Sequence, residues 1–290
     1  MAKAVTVTLY GGLGNQLFQL CYGLHLKHDE GLNVKFSTIG LERWSKRDFS
    51  GKYSIEYLIE PEEESHLIPV TRAVARLLAR RNPTFWLTAD GPSEDLTQLP
   101  TRHTRFVSGY FQSLNNAERF WSKFERRVRG STDSWASTLG EPIPQIAIHI
   151  RLGDYRSSST VRGVHGLTQP SYYLKAAQLA ASRRNTDAIL LVSDEPDIAE
   201  ELLGAPLRKH FKVRISNSNS TDLDDLSLLA RSSVIIGSNS SFSWWAAFFA
   251  TKSHRGLVIL PDPWYASSEH STTGLFDGSW VLLKRDYSAA

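Results

Sequence analysis

The order of hydrophobic and polar segments predicts an α/β protein that opens with a strand, a helix and a second strand. The β-branched run Val5–Leu9 leads into a glycine-rich turn, and an apolar helical face extends from Leu17 to Leu26. Gly31 ends that helix, and Asn33–Phe36 has the pattern of the next strand. Together these segments form a βαβ unit, which requires a parallel pair of strands.

From Gln145 onwards strands and helices alternate regularly, which is the signature of a parallel sheet. The predicted strands are Gln145–Ile150, Ala188–Val192, Phe211–Ile215, Val234–Ile236 and Leu257–Leu260, with an earlier one at Phe106–Phe111. The predicted helices are Pro170–Arg184, Pro196–Leu203, Thr221–Arg231 and Phe242–Ala250, with an earlier one at Ala117–Val128. The Ser-, Thr-, Gly- and Pro-rich segment Gly130–Pro144 predicts a boundary between two domains, 1–141 and 142–290.

Composition narrows the functional classes. The length of 290 residues is enough for two compact α/β domains. The net charge of +3 fits an anionic ligand and is too small to indicate a nucleic-acid partner. Cys21 is the only cysteine, which excludes an intrachain disulfide and a cysteine-based zinc site. Neither a signal segment nor a membrane span is evident, so we expect a cytoplasmic protein.

A basic stripe is predicted within Thr71–Arg81, a segment of helical propensity. Arg72, Arg76 and Arg80 fall on one side of that helix. Two interpretations stay open. The stripe contacts an anionic membrane surface, which would place the protein at the inner face of the membrane, or it is an ordinary solvated face.

The polar continuation of the strand Gln145–Ile150 is the first candidate site. Arg151 offers a planar, permanently charged fork that suits two phosphate oxygens, and Gly153 lets backbone approach a ligand closely. The carboxyl end of a parallel strand is where α/β sheets place ligand-binding groups. A simpler alternative is that Arg151 and Asp154 pair with each other at the strand end.

A second candidate site is the turn Gly237–Ser241, which joins a strand to an aromatic helix. Its backbone N–H groups, hydroxyls and one amide converge at a helix start, which is an arrangement that binds anions. Together with Arg151, this turn predicts a diphosphate held without a metal ion. Trp244 and Trp245 follow it, and a glycan-binding module that used them as sugar platforms is an alternative function.

Two further motifs have competing interpretations. Asp222–Asp224 matches the Asp-x-Asp pattern that holds manganese in many sugar-nucleotide transferases, but Thr221 before it favours a helix cap. Gly12 and Gly14 begin a dinucleotide-binding pattern, but Leu17 occupies the third glycine position, which argues against a dehydrogenase. Asn15 adds an amide at that helix start.

Three stretches resemble the hallmarks of the α-1,2-fucosyltransferase family, glycosyltransferase family 11, of bacterial type. They are His149–Tyr155, Gly12–Gln19 and Asn239–Ala246. The resemblance implies an α/β fold of the GT-B type, with two Rossmann-like domains facing each other across a cleft. It also implies transfer of L-fucose from GDP-β-L-fucose, with inversion, to the 2-hydroxyl of galactose. No cofactor or metal ion is implied.

The same resemblance assigns roles to residues. Arg151 holds the β-phosphate, Asp225 reads the guanine edge, and Asn15 reaches the donor or acceptor from the opposite domain. The full set of expected donor-binding residues is Gly12, Gly14, Asn15, His149, Arg151, Ser193, Asp194, Asp225, Ser238, Asn239, Ser240 and Ser241. Asp154 is the candidate base because it is near Arg151 in sequence.

The segment Val192–Ala199 lacks the tryptophan often found there in the family, so the contacts of Asp194 stay open. The expected acceptor is a glycan ending in galactose, for which a lipid-linked oligosaccharide is one hypothesis. The main rival is an enzyme of the same fold that uses another GDP-sugar or a different acceptor.

Overall fold

The computed structural model describes residues 4–39, 41–43, 45, 50, 52–64, 86–88, 100, 104–120, 144–216 and 220–288. The chain divides into two compact units. Unit 1 is Met1–Ser131 with Ser271–Phe276, and unit 2 is Thr132–His270 with Asp277–Ala290. The predicted boundary at residue 141 and the basic stripe of Thr71–Arg81 lie outside the described residues.

Unit 1 contains a four-stranded parallel sheet in the order β2-β1-β4-β3. Its strands are β1 (Val5–Thr8), β2 (Val34–Ser37), β3 (Trp86–Thr88) and β4 (Phe106–Ser108). Its helices are α1 (Leu13–His28) and α2 (114–120), with short 3₁₀ turns at Leu41–Arg43, Ser54–Leu58 and Pro61–Glu63. The predicted βαβ unit is therefore present as β1-α1-β2.

The strand predicted at Phe106–Phe111 is shorter than the sequence suggests. It ends at Ser108, and Phe111 has a left-handed backbone conformation with φ of 52°. The ring of Phe111 stacks on Tyr22 of α1, with 3.9 Å between the ring centroids. Packing against the helix thus turns the chain out of the extended conformation.

Unit 2 contains a six-stranded parallel sheet in the order β11-β10-β9-β5-β7-β8, and a two-stranded antiparallel pair of β6 with β12. Its strands are β5 (Ile146–Ile150), β6 (Leu167–Thr168), β7 (Ala188–Ser193), β8 (Lys212–Ile215), β9 (Val234–Ile236), β10 (Leu257–Asp262), β11 (Val281–Lys284) and β12 (Tyr287–Ser288). The helices α3 (Gly153–Ser157), α4 (Ser159–His165), α5 (Pro170–Arg184), α7 (Asp222–Arg231) and α8 (Ser241–His254) accompany them. Between α5 and α7, α6 starts at Pro196–Ala199 and continues through Glu200–Gly204 and Ala205–Leu207.

The core of unit 2 forms around β5, the run of alternating isoleucines. All five residues of Ile146–Ile150 are buried, as expected for a central strand of a parallel sheet covered on both faces. Tyr172 and Tyr173 of α5 pack against this strand and are fully buried. The predicted α/β class is confirmed, since each of the two units is built on a parallel sheet.

The aromatic helix α8 is part of this core. Trp244 and Trp245 are both 0% exposed, and Trp244 stacks on Phe248 with 5.3 Å between the ring centroids. Burial on this scale leaves neither indole face for a sugar. This burial contradicts the alternative function of a glycan-binding module that uses these two tryptophans as sugar platforms.

We expect Trp244→Ala to destabilise the protein by about 3–5 kcal/mol, because the substitution leaves a large cavity in a close-packed core. Urea unfolding followed by circular dichroism measures this without relying on tryptophan fluorescence. Leu202→Ala is the matched control, since Leu202 is 39% exposed and its truncation should change the free energy of unfolding by less than about 0.5 kcal/mol. Similar effects of the two substitutions would contradict the packing described for α8.

None of the helices in the described ranges is both long enough and apolar enough to cross a membrane.

Candidate functional site

The candidate site of unit 2 lies at the carboxyl ends of its central strands. Arg151 follows β5, Asp194 follows the neighbouring strand β7, and Ser238 follows β9 on the other side. Adjacent strands of a sheet are about 4.8 Å apart, so the three strand ends form one short row. The Ser238 backbone N–H donates to His149 O at 3.0 Å, which fixes the serine turn to β5.

Arg151 is held between two carboxylates. Its Nε and Nη2 donate to Oδ1 of Asp154 at 3.1 and 2.7 Å, and its Nη1 lies 2.9 Å from Oδ2 of Asp194. The pairing of Arg151 with Asp154, which the sequence left open, is thus present. The question of what Asp194 contacts is also answered, because its Oδ1 accepts the backbone N–H of Leu152 at 2.9 Å.

Gly153 has a steric role within the protein, and its close approach to a ligand stays a prediction. A Cβ at this position would lie 2.5 Å from Oδ2 of Asp194. The glycine therefore makes room for the carboxylate that crosses from β7 to reach Arg151.

Burial and charge oppose each other in this cluster. Burial lowers the pKa of Arg151, but Asp194 and Asp154 outweigh that effect, and the net pKa is raised above its ordinary value. Burial raises the pKa of Asp194, although the guanidinium of Arg151 pulls it in the opposite direction. Arg151 is consequently a permanent cation whose side chain is still 33% exposed and able to meet a ligand.

His149 is buried and lies behind the serine turn. Its Nδ1 is 2.7 Å from Oγ of Ser243 and 3.5 Å from Oγ of Ser238. Burial, with a smaller effect of Arg151, lowers its pKa to about 3. His149 is therefore neutral at ordinary pH and orients hydroxyl groups rather than supplying a charge.

The serine hydroxyls of the turn form a connected network. Ser238 donates to Ser240 at 3.3 Å, Ser240 donates to Ser243 at 3.2 Å, and the backbone N–H of Ser243 donates to Ser240 Oγ as the cap of α8. Ser241, partly exposed, is the first residue of the helix. The unpaired N–H groups of this first turn carry the positive end of the helix dipole, which favours an anion.

Asn239 supports the turn from inside. Its Nδ2 donates to the backbone oxygens of His165 and Trp264 at 2.7 and 3.0 Å, and its Oδ1 accepts from Thr168 at 3.1 Å. The side chain of this expected donor-binding residue is 1% exposed and positions the turn. Ser193 is likewise buried, and its Oγ accepts the backbone N–H of Glu195 at 3.1 Å.

Asp225 lies in the first turn of α7, which begins near the carboxyl end of β8. Its Oδ1 accepts from the Ser220 hydroxyl at 2.9 Å. Burial raises the pKa of Asp225 to about 7; the Ser220 hydroxyl lowers it and Asp222 raises it, both with smaller effects. Because β8 is two strands from β5, the strand ends beside Asp225 and Arg151 are about 10 Å apart.

The Asp-x-Asp motif is a helix cap. Thr221 Oγ1 accepts the backbone N–H of Asp224 at 3.2 Å, and Asp224 Oδ2 accepts the backbone N–H of Thr221 at 2.8 Å. This reciprocal arrangement is a capping box. The interpretation as a cap is confirmed.

The glycine turn of unit 1 joins β1 to α1. Gly12 caps the helix, Gly14 is buried in its first turn, and Asn15 Oδ1 accepts from Gln112 Nε2 at 3.0 Å. Gly11 has a φ of 77°, and a Cβ there would lie 2.8 Å from Asn15 Nδ2. The positive φ therefore favours glycine at position 11.

The sequence prediction missed two residues that support the site of unit 2. Tyr155 donates its hydroxyl to Asn239 O at 3.0 Å, and Arg285 donates to Thr168, which in turn donates to Asn239. Tyr155 is the last residue of the stretch His149–Tyr155. Arg285 follows the last long strand and has no local pattern that marks it.

The sequence is similar to a known family and to characterised proteins. The sequence profile of the family described as Glycosyl transferase family 11 matches residues 86–284. An alpha-1,2-colitosyltransferase of Escherichia coli is 22% identical over 297 residues, which cover 97% of this chain and 99% of that protein. The O-antigen biosynthesis glycosyltransferase WbnK of Escherichia coli is 28% identical over 137 residues, covering 47% of this chain and 44% of that protein.

Among solved structures, POFUT1 in complex with GDP-fucose is similar to this chain with a TM-score of 0.49. The two chains are 11% identical, and the alignment covers 88% of this chain and 96% of POFUT1.

Proposed function

The chain belongs to glycosyltransferase family 11, and we propose that it transfers L-fucose from GDP-fucose, with inversion, to the 2-hydroxyl of a galactose. The observation that carries the proposal is the fork of Arg151, which two carboxylates align beside the serine-lined start of α8. A guanidinium and a helix N-terminus side by side suit the two phosphates of a nucleotide sugar. The exposed fraction of Arg151 leaves room for that contact.

The chemistry asks the protein mainly to stabilise a leaving group. As the bond from the sugar to the diphosphate breaks, negative charge grows on the β-phosphate, and Arg151 neutralises it. The acceptor hydroxyl attacks from the opposite side of the anomeric carbon and loses its proton to a base. Asp154 is the proposed base in unit 2, although its Oδ1 also orients Arg151.

We propose that the reaction needs no metal ion and no cofactor. The support is that the Asp-x-Asp motif is used as a capping box, with Asp224 bonded to Thr221. Turnover that is unchanged by EDTA would agree with this proposal. Loss of turnover on chelation, with recovery on adding manganese, would contradict it.

A second donor is suggested by the colitosyltransferase, a relative that aligns along nearly the whole chain. Colitose is L-fucose without its 3-hydroxyl, so the two sugars differ at one position. Purified protein incubated with lactose and either GDP-fucose or GDP-colitose, with released GDP as the readout, separates the two donors. Release of GDP from neither donor, in the presence of a panel of terminal galactosides, would contradict the proposal.

The acceptor that we propose is a lipid-linked oligosaccharide ending in galactose, made accessible on the cytoplasmic side of a membrane. The support is the O-antigen glycosyltransferase among the relatives. A panel of galactosides with and without a lipid diphosphate tests it. Higher kcat/KM for the lipid-linked members is the expected result, and equal values for the free sugars would contradict the role of the lipid.

Binding of GDP should depend on pH through Asp225. Guanine donates from its N1–H and amino group, so it needs the ionised carboxylate, and burial raises the pKa of Asp225 to about 7. The ionised fraction, and with it the affinity for GDP, should rise about tenfold from pH 6 to pH 8. Calorimetry over this range measures the affinity for GDP at each pH. Asp225→Asn is the control, because its side chain does not titrate and its pH dependence comes from the phosphates of GDP. An identical pH profile in the variant would contradict the role of Asp225.

A further inference from the structure

Arg285 is a buried cation with complete hydrogen bonding. It is 3% exposed and follows β11. Its five N–H groups donate to Pro263 O at 2.7 Å, Thr168 Oγ1 at 2.7 Å, Gly166 O at 3.2 Å, His165 O at 2.7 Å and Trp264 O at 3.1 Å. Every acceptor is a neutral oxygen.

In the part of the chain that the structure describes, no ion pair includes Arg285. Burial lowers the pKa of Arg285, and four tyrosine hydroxyls raise it with smaller effects. A guanidinium nevertheless stays protonated in proteins. Burying a charge without a counter-ion is costly, so unit 2 carries a positive charge in its interior that its own side chains do not neutralise.

Arg285 lies directly behind the turn that contains Asn239. The guanidinium and the Asn239 amide donate to the same two backbone oxygens, those of His165 and Trp264. Thr168 is a third link between the two side chains, because its hydroxyl accepts from Arg285 and donates to Asn239. Two donors that share an acceptor are about 5 Å apart, so the charge lies close to the serine-lined start of α8.

The charges at the strand ends explain why a cation at Arg285 would matter for binding a diphosphate. Arg151 already has two carboxylate partners, Asp154 and Asp194. That cluster holds one guanidinium and two carboxylates, so its acidic groups outnumber its basic one. A diphosphate arriving beside it would meet a negative cluster unless another cation contributed.

We propose that Arg285 is the second cation of the diphosphate site, a positioning residue that acts through the Asn239 turn. It holds the turn in place, and its charge is neutralised by the diphosphate when the nucleotide binds. The inference rests on the proposed function, since it needs a nucleotide diphosphate at the start of α8. The matching ligand chemistry is a nucleoside diphosphate rather than a nucleoside.

The test compares GDP with guanosine, which lacks the phosphates, by calorimetry on the full chain. We expect Arg285→Met to weaken GDP binding at least tenfold and to change guanosine binding less than twofold, because only the phosphates meet the lost charge. Arg285→Lys keeps the charge and should bind GDP within about threefold of the wild type. Arg184→Met is the matched control. Arg184 is exposed at the end of α5, and its substitution removes the same charge at a different place.

A purely structural role predicts a different pattern. Arg285→Met would then lower the affinities for GDP and guanosine by the same factor, or lower only the melting temperature, and either result would overturn the inference. If Arg285→Met does not fold, Arg285→Gln replaces it, because glutamine removes the charge and keeps two N–H donors. A loss of GDP affinity of at least tenfold with guanosine affinity unchanged would support the inference, and an equal loss for both ligands would overturn it. Failure of the wild type to bind GDP would instead contradict the proposed function.

Discussion

Replacing Arg151 by alanine should lower turnover by about 10²–10³-fold, the usual effect of removing one group that stabilises developing negative charge. Arg151 is the only described cation that combines a partly exposed side chain at the end of β5 with alignment by carboxylates on both sides. Its loss removes stabilisation of the negative charge on the leaving group, and that charge is larger in the transition state than in the bound substrate. We therefore expect kcat to fall much more than KM rises, in steady-state assays of GDP release.

The control for this variant is Arg156→Ala. Arg156 lies in α3 and pairs with Glu195, its side chain is 44% exposed, and an exposed ion pair of this kind contributes little. Arg151→Lys should recover part of the activity because it keeps the charge, although a lysine cannot reach Asp154 and Asp194 in a planar fork. Near-normal turnover by a folded Arg151→Ala protein, with its melting temperature unchanged, would refute the role assigned to Arg151.

Replacing Asp225 by asparagine should weaken GDP binding by about 10–100-fold, the range expected when a carboxylate that accepts two hydrogen bonds from one base is lost. The amide has one acceptor and places N–H donors against the donors of guanine. The loss should depend on the base. Inosine diphosphate lacks the 2-amino group, so the wild type should prefer GDP over it and the variant should not.

Asp222→Asn is the matched control. Asp222 is exposed in the same first turn of α7, and its substitution removes the same charge. Its effect on GDP affinity should stay below about threefold, the size of a weak surface interaction. If Asp225→Asn kept the preference for GDP over inosine diphosphate, the carboxylate would not be the group that reads guanine.

Much of unit 2 could be predicted because its signals are local. The alternating isoleucines gave a fully buried central strand at Ile146–Ile150, and Thr221 gave the start of α7. The burial of Trp244 and Trp245 had a local signal too, since a helix that is apolar on every side lies inside a protein. The interpretation of those tryptophans as sugar platforms overlooked that pattern.

The parts that could not be predicted depend on contacts between distant segments. Gly153 is needed because of a carboxylate that arrives from β7, and its reason is invisible without the strand order. The partners of Arg285 come from Gly166, Thr168 and Pro263, which only the folded chain brings together. The spacing of residues along the sequence does not indicate such long-range contacts.

The order in which the chain leaves a ribosome matters for this architecture. Unit 2 is interrupted by Ser271–Phe276, which belongs to unit 1, and only afterwards does the chain add β11 and Arg285 to unit 2. The turn at Asn239 is therefore made before Arg285, and its backbone acceptors at His165 and Trp264 are fully used only once β11 is in place. We therefore expect GDP binding to require the chain through Arg285, because the support of the Asn239 turn is incomplete without it.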